Sequence, residues 1–276
     1  MALSRIMVGA LLITPTIIGL FVPGFEPLMF LIAAVFIAIG TGEYYWMAIR
    51  RGYSPHYITG IIGALALFAL GVWLYGRTHR MDEWIMCWAA FGVIVVAVHL
   101  VLRGYYDAIA DVAVTMIGPL YVSVPITLAV LIWYYDQTLG RLWILYLFLV
   151  VWITDTGAYV VGKNFGRRRM SPLISPKKTW EGALGGLLVP IPMAVGFWMF
   201  SSPFRKATGL LDLLLLTLGL CLIAIIADLG ESAFKRDAGQ KDSGTLFKEM
   251  GGALDIIDSF LFCAPALYVY HHFLNN

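Results

Sequence analysis

Apolar runs long enough to cross a bilayer recur along the whole chain, and this decides what it can fold into. A membrane-crossing helix needs about 20 predominantly apolar residues. Nine candidate stretches can be marked: Ile6–Val22, Pro27–Ile49, Tyr57–Tyr75, Trp84–Leu102, Ala110–Tyr134, Leu142–Val161, Ala183–Phe200, Leu210–Ala227 and Ser259–Phe273. Of the 276 residues, 60% are hydrophobic and 13% charged, against about 25% charged in soluble domains. A soluble globule cannot hide that much apolar surface. The chain is therefore expected to be an all-α, polytopic integral membrane protein with about nine transmembrane helices. Arg5 followed by an apolar stretch imitates a signal peptide, but no small-residue cleavage site follows, so the first run is read as a retained span. In the fifth run, Gly118-Pro119 and Pro125 predict a kinked or re-entrant piece.

Basic residues set the orientation. With the N-terminus inside, the cytoplasmic segments carry 14 of the 19 Lys and Arg residues and the opposite side carries 5. This places both long polar loops in the cytoplasm. Residues 1–140 then form an N-terminal scaffold of about five spans, and residues 141–276 form a C-terminal catalytic region with two cytoplasmic loops. Cys87, Cys221 and Cys263 lie in apolar runs without a C-x-x-C pair, which fits small core residues with no redox or zinc role.

The stretch from Asp228 to Ser259 interrupts this apolar pattern. Asp228 and Glu231 are three apart, so a helix puts them on one face, and Asp255 and Asp258 repeat the spacing after Gly251-Gly252. Two facing carboxylate pairs suit a hard divalent cation, and Lys235, Arg236, Lys241 and Lys248 between them suit phosphate. Charges between two apolar segments are also what a solvated loop looks like. Acids that stand directly at the ends of membrane spans favour a functional site.

The order S-x-F-K-R-x-x-x-x-K-D-S-G (Ser232 to Gly244), then G-G-x-x-D-x-x-D-S (Gly251 to Ser259), resembles the C-terminal signature of the phosphatidate cytidylyltransferases, or CDP-diacylglycerol synthases. The resemblance implies that Asp228, Glu231, Asp255 and Asp258 hold Mg²⁺, with a second cation beside it as an option. It also implies that Lys235, Arg236 and Lys241 hold phosphates and that Ser232 and Ser243 contact substrate. Asp242 is read as orienting Lys241 or a metal-bound water. Two positions depart from the pattern: Met250 stands where a His is expected, and Ile257 stands near an expected Arg.

A second polar loop carries the same resemblance. Asp155-Thr156-Gly157-Ala158-Tyr159 lies inside the sixth span, where an aspartate is expensive to hold. Ser175-Pro176-Lys177-Lys178-Thr179-Trp180-Glu181-Gly182 follows. Gly and Pro let backbone N–H groups approach an anion. In the resembled family this loop helps bind nucleotide, which implies substrate roles for Asp155, Ser175, Lys177, Lys178, Thr179, Trp180 and Glu181. Glu43, in T-G-E-Y-Y-W at the end of the second run, reads either as an interfacial carboxylate or as a partner for a cation in the bundle.

The function expected is transfer of CMP from CTP to phosphatidate, giving CDP-diacylglycerol and pyrophosphate, at the cytoplasmic face of a bacterial inner membrane. Expected partners are CTP, phosphatidate and membrane lipids, with no nucleic acid; a homodimer is an open alternative. A CTP-dependent polyprenol or lipid kinase, or a paralogue with another lipid acceptor, would share these groups. An anion transporter fits less well, because the acids cluster toward one side and no inverted repeat is visible. No P-loop and no H-E-x-x-H helix is present.

Overall fold

The computed structural model describes residues 14–78, 81–135, 139–247 and 251–275. Residues 6–13 of the first predicted span therefore lie outside the described residues, as do Lys248 and Met250. A helical stretch over 14–21 leads into α1 (Glu26–Arg51), α2 (Tyr57–Thr78), α3 (Met81–Arg103), α4 (Ala108–Tyr135) and α5 (Leu139–Phe165). A hairpin of β1 (Arg169–Ser171) and β2 (Ser175–Thr179) follows, then α6 (Trp180–Leu188), α7 (Pro190–Phe200), α8 (Ser202–Ala207), α9 (Leu210–Asp237) and α10 (Leu254–Asn275). The protein is all-α but for this antiparallel hairpin, which pairs Arg169 with Thr179 and Ser171 with Ser175.

Seven of these elements are long and apolar enough to cross a membrane: α1, α2, α3, α4 through Trp133, α5, the α6–α7 pair and α9. The protein is an integral membrane protein. The ninth predicted span falls within α10, which carries Pro265 and is not among the seven. The seventh is two helices, because Pro190 opens α7 directly after α6 ends. Side chains such as Val101, Ile109 and Phe200 are more than four-fifths exposed, as lipid-facing residues must be when hydrocarbon is the solvent.

The chain divides into two compact units, residues 1–131 with 237–257, and residues 132–236 with 258–276. In the first, the fifth run corrects the expectation of a break: α4 runs unbroken through Pro119 and Pro125. Proline at 119 cannot donate to the carbonyl four residues back, on Thr115. The Tyr45 hydroxyl donates to that carbonyl instead, at 2.6 Å. Gly118 makes the approach feasible, since a Cβ there would stand 2.6 Å from the Tyr45 ring. Neighbouring helices commonly satisfy the backbone group that a membrane proline leaves over. Leu67, Phe91 and Val95 form a buried cluster nearby, with Trp88 and Met116 against it.

In the second unit, α5 and α6 pack backbone to backbone. A Cβ on Gly157 would stand 2.9 Å from the Gly185 carbonyl oxygen, and one on Gly185 only 2.4 Å from Val161 Cβ. Small residues at a helix contact are how membrane helices gain close packing without a hydrophobic driving force. The contact fixes the hairpin that precedes α6. Farther along α5, Trp143 and Tyr146 pack against Phe204 of α8, with ring centroids 4.2 and 5.4 Å apart.

Candidate active site

In the second unit a cavity of about 520 Å³ opens beside α5, the hairpin and α9. Its lining includes Asp155, Tyr159, Lys163, Ser175, Lys177, Lys178, Thr179 and Asp228. The volume lies within the ~300–1,000 Å³ usual for small-molecule sites. Asp155, Tyr159 and Lys163 recur at four-residue spacing, so one stripe of α5 faces the cavity. The hairpin contributes the lysines, and its end is anchored because Thr179 accepts the Gly182 N–H at 3.1 Å as the N-cap of α6. The Trp180 N–H donates to the Arg168 carbonyl at 2.9 Å, closing the base of the hairpin.

Opposite charges from the hairpin, α5 and α9 meet in the cavity. Lys178 Nζ lies 2.5 Å from Asp228 Oδ2 as an ion pair. Asp155 feels the charges of Asp258 and Asp228, and Lys178 opposes them. Asp258 is buried, receives its neighbour Ser259's N–H, and feels Asp228 against Lys235 and Lys178. Three acids are thus gathered among cations. Glu231 is fully buried and ion-paired to Lys235 one turn along α9.

Hard oxygen donors of this kind fit Mg²⁺, which is usually bound through one or two carboxylates with waters and substrate phosphates. Among the described residues no three His, Cys, Asp or Glu side chains converge closely enough to hold an ion.

The first unit holds the remainder of the C-terminal motif, and here two carboxylates explain the glycines. Asp255 Oδ2 accepts the Ser243 N–H at 2.8 Å, the Ser243 hydroxyl at 2.8 Å and the Gly252 N–H at 2.7 Å. The carboxylate of Glu43 accepts the Ala253 and Leu254 N–H groups, each at 2.9 Å, and lies 3.2 Å from the Ser243 hydroxyl. A Cβ on Gly252 would stand 2.4 Å from both Glu43 oxygens, and one on Gly244 2.3 Å from Oε1. Gly251 has φ +85°, and a Cβ there would meet Asp255 Oδ2 at 2.3 Å. The K-D-S-G and G-G motifs are thus shaped by carboxylates that must come this close to backbone.

Other expected site residues stand apart from the cavity lining. Lys241 and Asp242 are exposed in the turn before Ser243, and Ser232 is half-buried on α9. Arg236 donates to the Ile174 carbonyl at 3.3 Å, so it steadies the hairpin turn. Trp180 is 56% exposed and outside the lining. The Glu181 carboxylate accepts the Arg167 and Arg168 N–H groups, at 3.0 and 3.1 Å. Sequence reasoning missed the capping role of Glu43. It also passed over Tyr159 and Lys163, although their spacing from Asp155 carried a signal.

Comparison with known proteins places these observations. The profile of the Cytidylyltransferase family matches residues 3–274. A phosphatidate cytidylyltransferase of Staphylococcus epidermidis is 35% identical over 216 residues, covering 77% of this chain and 78% of that protein. Namesakes from Staphylococcus haemolyticus and Haemophilus influenzae are 41% and 39% identical, over 58% and 51% of this chain and 58% and 49% of theirs. The chain belongs to the cytidylyltransferase family.

Proposed function

We propose that the protein transfers the CMP moiety of CTP to phosphatidate, giving CDP-diacylglycerol and pyrophosphate. The observation that carries this reading, beside the family match, is the cavity lined by two lysines of the hairpin together with Asp155 and Asp228, with Lys178 paired to Asp228. An oxygen of the phosphatidate phosphate forms a bond to the α-phosphorus of CTP. The bond from that phosphorus to the bridging oxygen breaks, and pyrophosphate departs with the electron pair. The nucleophile is already an anion near neutral pH, so no side chain has to remove a proton. Such chemistry is mostly positioning and neutralisation of charge.

The residues divide that work. Lys177 and Lys178 bind the triphosphate and neutralise charge that builds toward the leaving group. Ser175 and Thr179 orient phosphate oxygens through hydrogen bonds. Asp228 and Asp258 would hold Mg²⁺; Glu231, the other acid of this stretch, is buried and paired to Lys235. When bound, Mg²⁺ supplies charge neutralisation at the phosphates. Asp255 keeps the metal role proposed from the motif, beside the capping contacts described above. The site faces the cytoplasm of a bacterium, where CTP is found, and phosphatidate arrives from the bilayer.

The test compares wild type with Lys178→Met in vesicles containing phosphatidate, with Mg²⁺ and CTP. Wild type is expected to form CDP-diacylglycerol, and Lys178→Met to lose about a hundredfold or more in kcat, the usual effect of removing one well-placed charge-stabilising donor. Equal rates in the two proteins would remove Lys178 from the site.

A further inference from the structure

We propose that Glu43 is a positioning residue for the transfer reaction. Reaching from α1, its carboxylate holds the first turn of α10 and the Ser243–Gly244 turn in the arrangement in which Asp255 serves. The proposal rests on the cytidylyltransferase reading above.

A carboxylate within a membrane-crossing helix is expensive unless partnered. Glu43 does not reach for the helix end. Both oxygens are taken by donors about two hundred residues away, the N–H groups of Ala253 and Leu254 and the Ser243 hydroxyl. The two N–H groups belong to the start of α10, where a helix leaves donors without internal partners and favours negative charge. Gly40, one turn earlier on α1, lets Leu254 approach, since a Cβ there would stand 3.2 Å from the leucine side chain.

The Ser243 hydroxyl joins this cap to Asp255. It has one proton and lies 3.2 Å from Glu43 and 2.8 Å from Asp255 Oδ2. A shift of Glu43 therefore reaches Asp255 through a shared partner, and also through the Gly252–Leu254 backbone on which both carboxylates close. Glutamine at position 43 would keep the size but set its NH₂ group against one of two backbone N–H groups. An aspartate would keep the charge and fall one methylene short.

The experiment uses the full chain in detergent as wild type, Glu43→Gln, Glu43→Asp and Tyr45→Phe. Each is measured for melting temperature alone, for the MgCl₂ midpoint of thermal stabilisation in the presence of CTP, and for kcat. A positioning role predicts a ten- to hundredfold fall in kcat for Glu43→Gln, the scale seen when partners of metal ligands are removed. It also predicts a comparable rise in the MgCl₂ midpoint. Tyr45→Phe, a change of hydrogen bonding on the same helix, should lower the melting temperature and leave that midpoint in place. A Glu43→Gln protein that melts earlier but keeps the wild-type midpoint and kcat would overturn the proposal and leave Glu43 a structural cap. Should Glu43→Gln fail to fold, Glu43→Asp carries the same test, with a smaller loss expected. If wild type formed no CDP-diacylglycerol, the parent reading would fail. The thermal midpoints would still decide on Glu43, a displaced one in its favour and an unchanged one against it.

Discussion

Replacing Gly252 with alanine should unseat the Glu43 cap from within. The new Cβ would stand 2.4 Å from both Glu43 oxygens and from the Ser243 hydroxyl, about 1 Å inside ordinary contact. Moving the glutamate back by that distance stretches its two 2.9 Å bonds to Ala253 and Leu254 beyond hydrogen-bond range. A hydrogen bond to a charged group contributes about 1.5–3 kcal/mol, so losing two, with partial relaxation, predicts roughly 2–4 kcal/mol of destabilisation. In a control, Gly219→Ala, nothing lies within 4 Å of the added methyl group. Alanine is also the better helix former by about 1 kcal/mol, so the control should be neutral or stabilising. Thermal unfolding in detergent, monitored by circular dichroism, compares the two. A Gly252→Ala protein as stable as Gly219→Ala would refute the claim that the glycine exists to admit the carboxylate.

Three further outcomes follow from the same geometry. Tyr45→Phe leaves the Thr115 carbonyl without the hydroxyl that replaces the Pro119 N–H, and unfolding should show a loss of about 1–3 kcal/mol. Asp258→Asn should abolish turnover with little change in melting temperature, whereas Asp255→Asn should lose both, because Asp255 Oδ2 also accepts three hydrogen bonds; equal melting temperatures would contradict the distinction. Burial, with Arg103 and His99 nearby, pushes the His56 pKa below its ordinary value of about 6.5. The neutral form is thus favoured in the fold, so its contribution is full above about pH 6.5 and declines as pH falls below it. Denaturant unfolding at pH 7.5 and 5.5 should show a drop that His56→Gln reduces.

Much of this was legible in the chain because local pattern carried it. Apolar runs gave α1 through α5 with small shifts at their ends, while α9 runs on past the expected Ala227 to Asp237 and takes Asp228 and Glu231 into the helix. Pro119 misled, because a lone proline breaks a helix by local rules, and only a tyrosine seventy positions away restores the bond. The hairpin was missed because Arg169–Ser171 is too short to show alternation. Glu43 looked like a boundary residue because its partners stand about two hundred residues away, and no local period records such a pairing. Of the site, Lys177, Lys178, Thr179, Ser175, Asp155 and Asp228 do meet in one cavity. Lys235 and Arg236 stand outside its lining, spent on Glu231 and on the hairpin turn.

The central claim is attack at the α-phosphorus of CTP by a lipid phosphate, and the fate of each phosphate tests it most directly. Purified protein is incubated with Mg²⁺, phosphatidate vesicles and CTP labelled at either the α- or the γ-phosphate. The account predicts α-label in the lipid fraction as CDP-diacylglycerol and γ-label in pyrophosphate, in equal amounts. Lipid carrying the γ-label, with CDP released, would contradict it and make the protein a kinase.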